Sequence, residues 1–74
     1  MAEVIFNYEG INTIIQCEMN EKMKDIIDRF IVKSLTNKKE IYFLYGGNVI
    51  KEESFLSEII SNEDKNRNFI IFYF

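Results

Sequence analysis

Two hydrophobic periods divide the chain. Val4-Ile5-Phe6 is a run of β-formers, and Asn7-Tyr8-Glu9-Gly10 interrupts it with residues that tolerate the left-handed backbone of a tight turn. The chain resumes from Thr13 to Met19 with Ile15, Cys17 and Met19 apolar and Gln16 and Glu18 polar, the period of two of a half-buried strand. These segments predict an opening β-hairpin. The period then lengthens. Met23, Ile26, Ile27, Phe30 and Ile31 fall at i, i+3, i+4, i+7 and i+8, while Lys24, Asp25, Asp28, Arg29 and Lys33 take the other face. One helix of about 13–15 residues follows from this spacing. Asn20 or Glu21 begins it, Asn20 being the better capping residue, and Thr36-Asn37 ends it, because Asn accepts the left-handed stop conformation.

In the second half, Ile41 to Tyr45 predicts a dense aromatic strand stopped by Gly46-Gly47, with Val49-Ile50 a short strand beyond. Phe55 to Ile60 reads as a short helical turn, Ser61 to Asn68 as a charged loop, and Phe69 to Phe74 as a closing strand. The order strand, strand, helix, strand, short strand, strand requires the helix to lay its apolar face across a mixed sheet, an α+β arrangement.

Composition narrows the function. Residues 1–74 make a single domain, and 47% hydrophobic content with seven Phe and four Tyr supplies its core. No apolar run approaches the ~20 residues of a membrane span, and Met1-Ala2-Glu3 has no signal-peptide character. A net charge of −3 with dispersed basic residues argues against nucleic-acid binding, which needs a basic face. The lone Cys17 allows no internal disulfide or cysteine metal cluster, and there is no His to serve as a neutral-pH acid or base. A cytoplasmic or nuclear location is the expectation.

Candidate chemistry is thin. Cys17 lies on the apolar side of the second strand and reads as a core residue rather than a nucleophile. Glu52, Glu53, Glu58, Glu63 and Asp64 fit no calcium loop and read as a solvated face. Gly46-Gly47 lacks the following Lys-Ser/Thr of a phosphate loop and reads as a turn. No catalytic residue, metal ligand or cofactor is expected, and the chain is read as a non-enzyme.

The second half sharpens the fold. Phe43-Leu44-Tyr45-Gly46-Gly47-Asn48-Val49-Ile50, followed by Phe55-Leu56-Ser57-Glu58, resembles the strand, Gly turn, short strand and helical turn of the ubiquitin family. Met23, Ile26 and Phe30 fit that family's helix at the matching distance from Gly10 and Gly47, and the ungapped likeness runs from Gly10 to about Ile59. The resemblance implies a β-grasp roll, ββαββ, with one main helix across a mixed sheet. There are departures. Thr36-Asn37-Lys38-Lys39 replaces the family's proline pair, and Leu35 replaces its helix-ending Gly, so the helix is expected to run further. No Arg-Gly-Gly tail follows Phe74, so a non-conjugated interaction domain, part of a larger protein in a ubiquitin-type pathway, is expected. The alternative is a covalent modifier whose diglycine tail is absent from this sequence.

If Phe43, Phe69 and Ile71 face the helix, alternation sends Tyr42, Leu44, Ile70 and Phe72 to the opposite sheet face. By the resemblance that face binds partners: Leu44 and Phe72 take its central apolar positions, with Ile70 between them and Tyr8 at the nearby hairpin tip. Protein partners are expected there, presenting a short apolar helix or strand, to a chain that is monomeric in isolation. A second candidate is the groove between the helix and the second strand, near Ile14, Gln16 and Ile31.

Overall fold

The structure, a computed structural model, describes residues 2–35, 41–65 and 69–73, the last of these as backbone. The hairpin is longer than its hydrophobic core suggested. Strands β1 (Ala2–Tyr8) and β2 (Ile11–Cys17) pair antiparallel in full register from Ala2 opposite Cys17 to Tyr8 opposite Ile11. Only Glu9 and Gly10 form the turn, at φ of 52° and 82°. Positive φ at both central residues gives a turn twist that matches the strands, and Glu9 bears the steric cost that Gly10 avoids.

Helix α1 (Met23–Ser34) buries Met23, Ile26, Ile27 and Phe30, the stripe predicted by the 3.6 period. Its ends differ from expectation. Lys22 occupies the N-cap in extended conformation and makes no side-chain cap, so Asn20 does not fill that role. A neighbouring loop satisfies the first-turn donors instead: Met23 N–H bonds to the Ser54 carbonyl at 2.8 Å and Lys24 N–H to that of Glu52 at 2.9 Å. The favour is returned at a short helix α2 (Leu56–Ile59), reached after strands β3 (Leu44–Tyr45) and β4 (Asn48–Val49). There Leu56 N–H bonds to the Glu21 carbonyl at 2.8 Å and Ser57 N–H to that of Met19 at 3.0 Å. A bridge between Lys22 and Phe55 holds the two helix starts side by side. Each loop thus caps the other's helix. At the far end, Leu35 stops α1 in left-handed conformation at φ 56°. The helix ends there rather than running on, and Thr36-Asn37 lies outside the described residues.

Strand β3 covers only the last two residues of the expected Ile41–Tyr45 run, because its ladder to the closing strand β5 (Phe69–Tyr73) holds one pair, Leu44 opposite Tyr73. Gly46 and Gly47, at φ of 58° and 83°, form the turn to β4, as expected. The predicted loop after Ile60 contains a one-turn helix, α3 (Asn62–Lys65). It is tied to β3: the Tyr45 hydroxyl donates to the Asp64 carboxylate and accepts the Ser61 N–H at 3.1 Å, while Asp64 N–H bonds to Ser61 Oγ at 3.2 Å.

The sheet order is β2-β1-β5-β3-β4, antiparallel except for the parallel β1–β5 pair. The chain is therefore α+β, a mixed sheet carrying one main helix. Between them Val4, Phe6, Ile15 and Cys17 of the sheet meet Met23, Ile26, Ile27 and Phe30, with Phe43, Ile50, Leu56 and Ile60 closing the sides. Phe6 stacks on Phe30 with centroids 4.4 Å apart, and Phe43 packs edge-on to both at 6.0 and 5.9 Å.

Candidate protein-binding surface

Alternation along β1 and β2 sorts the hairpin into two faces. Val4 and Phe6, with Ile15 and Cys17, are buried toward α1, so Glu3, Ile5 and Asn7, with Asn12, Ile14 and Gln16, take the other face. Cross-strand partners there are Glu3 with Gln16, Ile5 with Ile14, and Asn7 with Asn12. The last pair is joined by a 2.8 Å side-chain hydrogen bond. An apolar pair is thus bracketed by two polar ones. Ile14 remains 43% exposed and Ile5 half-buried.

On the other side of the sheet, Phe43 is buried and Tyr45 packs on the core, so Leu44 between them belongs to the outer face. Its partner across the Gly turn is Val49, 62% exposed. Strand β5 lies between, and its register decides what joins the two halves. Val4 pairs with Ile70, Ile5 with Ile71, and Phe6 with Phe72. Residues in register share a sheet face, so the backbone sets positions 70 and 72 on the side of buried Val4 and Phe6. Positions 69, 71 and 73 fall on the side of Ile5 and Leu44. The expected alternation of β5 is therefore displaced by one residue. Ile70 and Phe72 are not outer-face positions, and Phe69 and Ile71 do not register with the core. The side chains of Phe69–Tyr73 lie outside the described residues.

Two further candidates move. Tyr8 has the parity of Val4 and Phe6 and lines a small depression with Ile11, Thr13, Phe30 and Ser34, on the helix side of the hairpin. Tyr42 is 77% exposed but precedes β3 and lies outside the ladder. Leu44 alone of the five expected residues sits where the sequence put it. Ile5 and Val49 were not expected on this face, and Ile14 was named only for the groove beside the helix, although the run Glu3-Val4-Ile5-Phe6-Asn7 hinted at a strand apolar on both faces.

Beside the sheet, the Glu21 carboxylate accepts two bonds from Arg29, from Nη1 at 2.9 Å and Nη2 at 2.8 Å, and the Glu18 N–H at 2.8 Å. The Arg29 hydrogen bonds hold the Glu21 carboxyl below the usual carboxylate range, and Glu21 raises Arg29 in turn. Cys17 is buried, and burial, reinforced by the Glu21 carboxylate, pushes its thiol up to about 11. Such a thiol is a poor nucleophile at neutral pH. Among the described residues no cluster of His, Cys, Asp or Glu is arranged to hold a metal, and no helix is long and apolar enough to cross a membrane. No family model matches the sequence, and no curated protein matches it either.

Proposed function

We propose that this chain is a ubiquitin-like β-grasp domain that binds other proteins through the sheet face opposite α1. The observation that carries the reading is an oblique apolar row across the sheet. Ile14 of β2, Ile5 of β1, position 71 of β5, and Leu44 and Val49 of β3 and β4 occur on one face. Four strand spacings make that row about 19 Å long, enough to seat a short apolar helix. The element order, the sheet order and the resemblance from Gly10 to Ile59 support the β-grasp reading.

The core already fills the alternate positions, so apolar side chains on this face add little to folding while wet. Covering them removes their area from water at about 25 cal/mol per Å², before the costs of association. A few apolar anchors dominate such interfaces, and Leu44, between β5 and Val49 in the row, is the leading one.

The test pairs binding with folding. Tagged wild type, Leu44→Asp and, as a control, the exposed Glu63→Gln are used to capture proteins from extracts of the source cells, and amide spectra of each variant report the fold. Leu44→Asp should stay folded and lose the proteins that wild type and Glu63→Gln both retain. A folded Leu44→Asp that keeps the same proteins sinks the sheet-face reading.

A further inference from the structure

The outer sheet face carries one charge. Among its strand positions Glu3 alone is charged, and the others are apolar, aromatic or amide. Glu3 stands two residues before Ile5 on β1, opposite Gln16 on β2 and position 69 on β5. Two residues of strand span about 7 Å, so its carboxylate flanks the apolar row rather than interrupting it. The other flank is neutral. Asn7 and Asn12 bond to each other there at 2.8 Å, and position 73, across from Asn7, is Tyr. The row is thus acidic on one side only, and at its β1–β2 end. The strand positions around Leu44 and Val49 bring no charge to the other end.

Glu3 is half-buried, and its carboxylate takes no partner among the described residues. The cations that reach this end of the sheet come from α1 and are engaged along the β2 edge. Lys33 Nζ donates to the Ile14 carbonyl at 2.8 Å and Arg29 Nη2 to that of Gln16 at 3.2 Å, while Arg29 also holds Glu21. Resting on the sheet-face reading, we propose that the partner is an apolar helix with a lysine or arginine near the end that lies over β1 and β2, and that Glu3 selects it. A helix seated on the row shields Glu3 from water, and a shielded carboxylate without a donor is costly. A cation on the partner offsets that loss with a charge-assisted hydrogen bond, which a neutral side chain makes only weakly. An acidic side chain there would meet like charge. The net charge of −3 also draws a basic partner in from a distance. Because the carboxylate lies at one end of the row, it sets the direction of the bound helix as well.

The test uses the whole chain, labelled for amide spectra, and three capped synthetic helices long enough to span the row. All three carry the same leucine stripe and differ only at one end, which holds two lysines, two glutamines or two glutamates. The lysine helix should give saturable shifts at Ile5, Ile14, Leu44 and Val49. The glutamine helix should bind about fivefold more weakly, and the glutamate helix more weakly still. Glu3→Gln, which keeps the size of the side chain, should bind all three about equally, and Glu3→Lys should prefer the glutamate helix, with amide spectra confirming that both variants stay folded. Equal affinity of the three for wild type, or a lysine preference that survives in Glu3→Gln, overturns the role of Glu3. Loss of that binding in Leu44→Asp then leaves the sheet-face reading standing alone. Shifts that persist in Leu44→Asp, or no saturable shift from any of the three helices, overturn both.

Discussion

Phe30 is the residue on which the core turns, and Phe30→Ala measures how far. Its ring is buried, stacked on Phe6 at 4.4 Å and edge-on to Phe43 at 5.9 Å. Truncation exposes or empties roughly 120 Å² of ring surface, which at about 25 cal/mol per Å² is about 3 kcal/mol. Two aromatic contacts are lost as well, each contributing about 0.5–1.5 kcal/mol beyond area, while partial collapse of Phe6 and Phe43 into the gap recovers some of this. The expected cost is about 4 kcal/mol. A chain of 74 residues has a total stability of roughly 4–11 kcal/mol, so the variant sits at or near the edge of folding.

Urea unfolding followed by circular dichroism is the assay, with slopes compared to confirm that only stability changed. Phe30→Leu keeps most of the volume and should cost about 1–2 kcal/mol, leaving a transition that can be measured even if Phe30→Ala has none. Phe55→Ala serves as the control, because that ring is part-exposed at the start of α2 and makes none of the three core ring contacts. If Phe30→Ala shifts the midpoint no more than Phe55→Ala does, the aromatic trio is not the centre of the core and the packing of α1 on the sheet is wrong.

Two other perturbations test local features. Leu35 is 91% exposed and holds φ 56°, so Leu35→Gly removes backbone strain without losing burial and should raise stability by about 1 kcal/mol, read as a higher urea midpoint. Cys17 should react slowly with a disulfide reagent in the native state and quickly in denaturant. Because its folded pKa is raised, the unfolded chain releases the proton first. Stability should therefore be intact below the unfolded thiol's pKa of about 8.5 and fall as pH rises toward 11, and Cys17→Ala should flatten that decline.

The helix was legible because its apolar stripe repeats with a period that only one local structure satisfies: Met23, Ile26, Ile27 and Phe30 are buried as spaced. The face of β5 was not. Every residue from Phe69 to Phe74 is apolar or aromatic, so both parities look alike, and the choice is made by pairing with β1. Phe69 opposite Glu3 sets the register, and a one-residue slip exchanges the two faces throughout. Tyr8 was misplaced for a related reason: the turn begins one residue after it, so it keeps the parity of Phe6. The start of α1 was hidden differently. Its donors are satisfied by carbonyls of Glu52 and Ser54, some thirty residues away, and no capping side chain advertises the spot.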